Sequence, residues 1–505
     1  MARMSNGQPP YAPFRVPLSL GLLLAALLGL VLAGCGSSSS KSKPAPSPFP
    51  PGAKMLPSEN LTQAAKEAFI QARSGDVIVF PEGRFMLEDT LVLEASEDMD
   101  GNPIERITLM GHGMDKTILD FSNSLGGDGI LVQNGTNVTI KNLAVYEAPN
   151  NGIKLTNTNG VHLKSVAAVW EGPLTSANGA YGLYPVESSN IVIEDSYARG
   201  SADAGIYVGQ SSHIVLRRNI AEENVAGIEV ENSSMADVYE NIARGNTGGI
   251  LVFDLPIGNA IYGSGVRVFN NEVTGNNEDN FANVSANPAG VHITPPGTGI
   301  IVLGTSDVEI YQNTITDHDT LAITVTSFYI AEDQLSYANP TYANIIDDGW
   351  RPVPRNIAIY DNTITDTGAD PRGAIIEDLI TGFTALHGGM PAILYDGIGE
   401  LLANAAADPQ TTGAPFGDAD RVCASANGSI SYGSVYGTDP TDPANLGMGG
   451  LADPPPLLFE APQSAILSCT VALARLPAAS VMIDGKAYGC GSAETGDPSQ
   501  ASCNL

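Results

Sequence analysis

Basic side chains are scarce in this chain of 505 residues. It has 24 lysine and arginine residues and six histidines against 55 aspartate and glutamate residues, which gives a formal net charge of −31. A protein of this charge repels polyanions, so nucleic acid is not expected as a partner. An anionic sugar polymer would need a bridging cation. Ca²⁺ is therefore a candidate, although the composition requires no cofactor.

Cysteine is also rare, with five residues. The sequence has no Cys-x-x-Cys pair with a nearby histidine, which disfavours zinc, and no Cys-x-x-Cys-His haem motif. Apart from Cys35, the cysteines form an even set near the end of the chain, and an extracytoplasmic protein would join such a set in two disulfides. Three pairings are open. We have a slight preference for Cys423 with Cys469 and Cys490 with Cys503.

Charged residues make up only 16% of the chain, whereas it contains 55 glycines and 34 prolines. This composition indicates many turns and few surface helices. It favours β structure.

The N-terminal segment has the features of an export signal. Arg3 and Arg15 precede an apolar run over residues 16–33, which ends in the motif LAGC at Cys35. This resembles a bacterial lipoprotein signal, and the resemblance implies cleavage before Cys35 and acylation of its thiol. Because Gly36 and not aspartate follows, the resemblance implies the outer membrane, facing the periplasm or the cell surface. An ordinary transmembrane anchor is the alternative.

A glycine followed by Ile or Leu recurs along the chain with a basic period of 22 or 23 residues, and insertions lengthen some periods. A second apolar strand follows each one at a fixed offset, as in VTIKN, IVLRR and VEIYQN, with alternating apolar and polar residues. A unit this short cannot bury its own apolar face, so successive units must stack. The repeat glycines are Gly129, Gly152, Gly182, Gly205, Gly227, Gly249 and Gly299.

This pattern predicts an all-β fold, a single-stranded right-handed parallel β-helix. Residues 60–73 are predicted to form an N-terminal capping helix in which Asn60 is the N-cap and Gln63 completes a capping box. A helix near Gly397 and a small disulfide-bearing C-terminal region are candidates for the other cover. The polar residues after the second strand are predicted to stack in a structural ladder: Asn142, Ser165, Ser196, Asn219, Asn241, Asn271, Asn313 and Asn362.

Over residues 55–400, the capping helix, the GDVIVFPEGRF segment and the repeated coils resemble the pectate-lyase-like family of right-handed parallel β-helices. A local stretch, YGLYPVES from Tyr181, is similar to the Tyr-Gly-Phe-Asp-Pro-His-Glu stretch of mannuronan epimerases. Tyr184 stands where that family has its aspartate, and Val186 where it has its histidine. The resemblance therefore implies a sugar-binding face without that epimerase mechanism.

The candidate site lies at outward positions of the middle coils, two residues after the repeat glycines. Tyr184 and Tyr207 are predicted to lie about 4.8 Å apart and to form an aromatic platform for a sugar ring. Insertions over residues 170–180, 254–265 and 276–297 are expected to wall this face into a groove. The predicted catalytic residues are Glu229, Asp203 and Glu187, and the predicted substrate-binding residues are Tyr184, Tyr207, Gln210, Glu231 and Asp254.

Simpler interpretations stand beside these. One alternative is that the outward residues are solvated positions at which tyrosine occurs because of its β propensity. His318, in the sequence TDHDT, belongs to a surface turn more readily than to a metal cluster, and His292 is a weak further candidate for the groove.

We therefore expect a signal peptide over residues 1–34, a lipid-anchored tether over 35–54, a β-helix over 55–400 and a cysteine-containing cap over 401–505. The predicted function is binding of a polysaccharide, with processing as a lyase, epimerase or glycoside hydrolase left open. A non-catalytic scaffold of the cell envelope is the alternative. The only membrane contact expected is through the lipid anchor at Cys35.

Overall fold

Short strands stacked in parallel form most of the chain. A computed structural model of the protein describes residues 48–284, 290–332, 334–435, 457–469, 475–491 and residue 503. The predicted signal peptide, Cys35 and most of the tether lie outside the described residues. Within the part that is described, no helix is long and apolar enough to cross a membrane.

Each coil adds strands to three parallel faces, which we call sheets 1, 2 and 3. Sheets 2 and 3 form one hydrogen-bonded network because β8 and β10 run from one into the other. Sheet 1 contains β4 Leu91–Glu94, β7 Ile130–Gln133, β9 Ile153–Thr156, β11 Leu183–Val186, β14 Ala204–Gly209, β17 Ala226–Glu231, β20 Gly248–Phe253, β23 Thr298–Leu303, β26 Leu321–Thr326, β29 Ile393–Tyr395, β31 Tyr432–Ser434 and β32 Leu458–Glu460.

Sheet 2 contains β1 Lys54–Met55, β2 Val77–Val79, β5 Thr108–Met110, the first halves of β8 Thr136–Tyr146 and β10 Asn159–Val169, β12 Ser189–Glu194, β15 Ser212–Arg217, β18 Ser234–Tyr239, β21 Ser264–Phe269, β24 Ser306–Tyr311, β27 Ile357–Tyr360 and β30 Val422–Ser425. Sheet 3 contains β3 Gly83–Met86, β6 Thr117–Asp120, the second halves of β8 and β10, β13 Tyr197–Arg199, β16 Ile220–Glu222, β19 Ile242–Arg244, β22 Glu272–Thr274, β25 Thr314–His318 and β28 Thr363–Thr367. The prediction of a right-handed parallel β-helix is confirmed.

The repeat glycines set the register of sheet 1. Ile206 pairs with Ile228, and Ile228 pairs with Ile250 on the next coil, so the isoleucines form one internal column. All three are fully buried. Burying a side chain of this size stabilises the fold by about 1.5–3 kcal/mol, so the column is a main source of stability along the helix axis.

The predicted asparagine ladder exists, and it continues one coil beyond Asn362. Asn219 Nδ2 donates to Asn241 Oδ1 at 3.0 Å, and the same bond repeats along the axis until Asn362 donates to Asn427. Asn142 and Ser165 are not members, however. Their φ angles are positive, and they align with the turn residue before the ladder because β8 and β10 continue through this corner.

A second ladder lies five residues after the first one. Asn224 donates to Asn246 at 3.0 Å, Asn246 donates to Asn276 at 2.8 Å, and Asn276 Nδ2 donates to His318 Nε2 at 3.0 Å. The prediction that His318 lies in a surface turn was wrong, since it is buried at the end of this ladder. Burial lowers the pKa of His318 to about 3, so the ring is neutral at physiological pH.

The N-terminal cap is the helix α1, Leu61–Ile70. It buries Leu61, Ala65 and Phe69 over the first coil, as the apolar face predicts. The predicted capping box does not form. Asn60 adopts a left-handed conformation with φ 50°, from which its side chain makes no cap hydrogen bond, and Gln63 donates to Glu67 instead.

Parallel pairing continues beyond residue 400, where we placed the end of the β-helix. β27 pairs with β30 and β29 pairs with β31, while the antiparallel β32 covers the last strand of sheet 1. The helices near residue 400 are insertions between coils and not an end cap. The remaining helices are α2 Pro340–Asp347, α3 Glu377–His387, α4 Ile398–Asn404 and α5 Pro409–Thr412, with short 3₁₀ turns at Val291–Ile293, Phe328–Ile330 and Asp418–Asp420.

Both preferred disulfides are present, Cys423–Cys469 and Cys490–Cys503. The segment before Cys490 forms a hairpin of β33, Val481–Ile483, and β34, Lys486–Tyr488. This hairpin packs on the outer face of sheet 2, where Val481 and Tyr488 join a cluster with Val192 and Val215.

Candidate functional site

The outward column of sheet 1 has the register that the repeat predicts. Lys154 pairs with Tyr184, Tyr207 with Glu229, and Glu229 with Leu251. Neighbouring coils lie about 4.8 Å apart, so these side chains share one face of the helix. The column changes from basic through aromatic and acidic to apolar along the axis.

Three phenol rings meet at the centre of this column, and we call them the tyrosine cluster. Tyr181 lies 4.4 Å from Tyr184 and 4.5 Å from Tyr207 between ring centroids. Tyr184 and Tyr207 lie 5.0 Å apart at an interplanar angle of 82°, so they do not form the flat platform expected. The edge-to-face contact, which suits the ring quadrupoles, makes a concave cluster instead.

Carboxyl groups surround the tyrosine cluster and form what we call the carboxyl cluster: Asp203, Glu229, Glu231 and Asp254. All four residues are buried, Glu229 with only 1% of its surface exposed. Gln210 Nε2 donates to Glu231 Oε1 at 3.0 Å and to Tyr207 Oη at 3.3 Å. Neither carboxyl oxygen of Glu229 has a hydrogen-bond partner among the described residues.

Burial dominates the electrostatics of this cluster. It raises the pKa of Glu229 well above its usual range, and the charges of Asp203 and Glu231 raise it further. Burial also raises the pKa of Glu231 to about 7, although hydrogen bonds from Tyr207 and Gln210 act in the opposite direction. The pKa of Asp254 rises to about 8 through burial, against a backbone hydrogen bond from Gly263. All three shifts favour the protonated forms of these carboxyls over those of exposed ones.

Insertions cover the middle coils of sheet 1 rather than only walling them. Leu255 and Val291, from two of the predicted insertions, pack with Phe328 and Trp350 over the outward residue Leu251. Trp350 Nε1 donates to the backbone oxygen of Asp254 at 3.1 Å, which fixes this cover to the carboxyl cluster. The alternative interpretation, in which the outward positions are solvated, is wrong for Tyr207 and Glu229. The apolar positions beside them require a cover, and the same cover excludes water from these two side chains.

A polar cavity of about 140 Å³ opens beside the covered coils. Asp203 and His292 line it, together with Asn178 and Asn283. The ring nitrogen Nδ1 of His292 is buried and has no hydrogen-bond partner among the described residues. Asp203 is the member of the carboxyl cluster that lines this cavity, and its charge also acts on Glu229.

Glu187, one of the predicted catalytic residues, lies apart from this cluster. It occupies an exposed turn after β11 with φ 49°. Lys154 lies at the open edge of the tyrosine cluster, where its Nζ is 4.9 Å from the centroid of the Tyr184 ring. The structure thus brings together Asp203, Glu229, Glu231, Asp254, Gln210, Tyr184 and Tyr207, and leaves Glu187 at the rim.

Sequence reasoning did not assign Tyr181 or Trp350 to the site. Tyr181 precedes a repeat glycine and lies outside the strand pattern, although it belongs to the epimerase-like stretch. Trp350 comes from a segment almost a hundred residues after Asp254, and the repeat gives no signal for that contact. As for metals, the described residues contain no group of three or more His, Cys, Asp or Glu that is arranged to hold an ion.

Residues 128–315 match the family model described as right handed beta helix region, so this part of the chain is a right-handed β-helix region. No curated protein matches the chain. Among solved structures, it is similar to the A-module of a mannuronan C-5 epimerase from Azotobacter vinelandii, with 16% identity over 68% of this chain and 89% of that one, at a TM-score of 0.38.

Two further structures have comparable similarity. A polygalacturonase from Erwinia carotovora ssp. carotovora is 14% identical over 65% of this chain and 96% of that chain, with a TM-score of 0.40. A DFA-IIIase from Arthrobacter chlorophenolicus A6 is 10% identical over 68% of this chain and 92% of that chain, also at 0.40.

Proposed function

We propose that the protein binds a polysaccharide at the tyrosine and carboxyl clusters on the outward face of sheet 1. The observation that carries the proposal is the position of Glu229, a buried carboxyl that pairs across the sheet with Tyr207 of the tyrosine cluster and whose oxygens have no partner among the described residues. A buried polar group left in this state costs about 1–3 kcal/mol. A bound hydroxyl or amine would recover that cost, while the tyrosine faces would contact the apolar side of a sugar ring.

The shape of the site supports binding of a chain end. The insertions close the face over Leu251, whereas Tyr181 and Tyr184 remain half-buried. A cavity of about 140 Å³ has room for about five water molecules, which is the scale of a single sugar residue and not of a long chain.

Processing of the glycan is a second candidate function, and one observation favours it. Burial raises the pKa of Glu229 well above its usual range and the pKa of Glu231 to about 7. An acid and a base of unlike pKa are what acid–base cleavage of a glycosidic bond requires. In that role Glu229 would donate a proton to the leaving oxygen as the glycosidic bond breaks, while Glu231 would accept a proton from the water that supplies the new hydroxyl.

The location belongs to the same proposal. The lipoprotein-like signal at Cys35 supports a lipid-anchored protein of the cell envelope, attached to the outer membrane by a flexible tether. Two disulfides in the C-terminal region favour an oxidising compartment.

Calorimetric titration at pH 6 with neutral, amino and uronate oligosaccharides of equal length tests the binding. The wild-type protein is expected to bind at least one class, and Tyr184→Ala to weaken that binding about tenfold or more, since a lost sugar–aromatic contact costs 1.4 kcal/mol or more. Tyr197→Ala is the matched control, because Tyr197 lies on sheet 3 and donates to Glu222. Analysis of the same mixtures for new reducing ends tests cleavage. If the wild-type protein binds none of the classes, the scaffold interpretation replaces this one.

A further inference from the structure

We propose that the sugar held at this site carries a free ammonium group, so that the preferred ligand is an amino-sugar polymer and not a uronate or a neutral glycan. This inference rests on the proposed function and names the class of its ligand. It follows from the charges and rings that face the bound sugar.

The tyrosine cluster already holds an ammonium group. Lys154 Nζ lies 4.9 Å from the centroid of Tyr184, at the open edge of three rings whose centroids are 4.4–5.0 Å apart. Closely grouped aromatic rings attract cations through their quadrupoles, and this is how aromatic cages recognise ammonium ligands. The lysine side chain of the protein is thus a model for the ligand group.

Three members of the carboxyl cluster are acidic groups without a basic partner. Glu229, Glu231 and Asp254 form no salt bridge among the described residues. The groups acting on Glu231 are the hydroxyl of Tyr207 and the amide of Gln210, both of which are neutral. An ammonium brought against these carboxyls would favour their ionised forms and pair with them, whereas a uronate carboxylate would add another acidic group to a buried site that already contains several.

The cavity gives the ammonium acceptors on two sides. Asp203 lines it on the side of the β-helix, and His292 lines it on the side of the insertion. The unpartnered Nδ1 of His292 is a hydrogen-bond acceptor when the ring is neutral, and an ammonium has three hydrogens to donate. An acetylated amine would bring one hydrogen, no charge and a bulkier group into this space.

Three oligomers of equal length test the inference by titration at pH 7: glucosamine, N-acetylglucosamine and galacturonic acid. The glucosamine oligomer is expected to bind at least tenfold more tightly than the other two. Glu229→Gln, which preserves shape, should weaken glucosamine binding by a further factor of about ten. Lys154→Gln should strengthen it severalfold, because the variant removes the competing internal cation.

A uronate ligand would reverse the signs of both substitutions, so the two variants test charge and not only contact. Lys164→Gln is the matched control, because Lys164 lies on the same coil as Lys154 but on sheet 2, where its Nζ is 2.7 Å from Glu194. Equal or tighter binding of the acetylated oligomer would overturn the inference and leave the polysaccharide function standing. If neither the three oligomers nor any member of the wider glycan panel binds, both the amino-sugar inference and the proposed polysaccharide function are wrong.

Discussion

The buried carboxyl of Glu231 makes the stability of the protein depend on pH in a specific direction. Burial raises its pKa from 4.5 to about 7 in the folded protein. Between these values the unfolded chain has lost the proton while the folded protein retains it, so folding takes up a proton. The contribution of Glu231 to the free energy of unfolding therefore falls as the pH rises from about 4.5 to 7. Glu231→Gln removes this contribution.

The magnitude follows from the shift. A rise of 2.5 pKa units corresponds to about 3 kcal/mol, so the stability of Glu231→Gln relative to wild type should increase by about that amount between pH 4.5 and pH 7. Glu229, Asp254, Tyr207 and Gln210 face Glu231 and remain in the variant. The charge of Glu231 also raises the pKa of Glu229 and of Asp254, so the difference between the two proteins reports Glu231 together with its effect on these two carboxyls.

Urea unfolding followed by circular dichroism at several pH values between 4.5 and 8 measures this difference. Glu222→Gln is a suitable control, since Glu222 lies on sheet 3 in an ion pair with Arg244. The control should keep the pH dependence of the wild type. Parallel pH profiles for wild type and Glu231→Gln would refute the reasoning, because they would mean that Glu231 is solvated or paired in the folded protein.

Two further predictions concern other parts of the chain. His318→Asn should complete the second ladder and stabilise the protein at pH 5 by about 2 kcal/mol but little at pH 8. The reason is that the pKa of His318 is about 3 in the folded protein and 6.5 in the unfolded chain, so the wild type loses stability as the pH falls through 6.5. Urea midpoints at the two pH values measure this effect, and an equal effect at both would contradict it. Cys35→Ser should abolish incorporation of labelled fatty acid and move the protein from the membrane to the soluble fraction of the cell envelope. Unchanged fractionation would count against the lipid anchor.

The sequence was sufficient for those parts of the fold that repeat. Alternation of apolar and polar residues within a strand identifies inward residues such as Ile206. The fixed period then places Ile228 next to it on the following coil, so the sequence predicts a column of stacked side chains. The first ladder followed from the same offset. The second one, beginning at Asn224, has an equally regular offset of five residues, but asparagine is so common in turns that it carried no distinct signal.

The candidate site could be predicted only in part. Its column was predictable because Tyr207 and Glu229 follow the repeat, but its burial was not, since the covering residues come from insertions that obey no period. The repeat pattern also did not predict the relative orientation of the rings in the tyrosine cluster. Flat stacks at 4.8–5.0 Å do occur on sheet 2, where equivalent positions of successive coils are all aromatic: Tyr239, Phe269, Tyr311 and Tyr360.

The hairpin of β33 and β34 has a consequence for the order in which the molecule is completed. It lies against sheet 2 at β10, β12 and β15, and Asp484 N donates to Asn137 Oδ1 at 2.9 Å across 347 residues. At a synthesis rate of about 5–20 residues per second, roughly 17–70 s separate the emergence of these two partners. Until the hairpin packs against them, Val192 and Val215 lack this cover. A fragment that ends before residue 475 therefore exposes an apolar patch that the hairpin buries in the full-length protein.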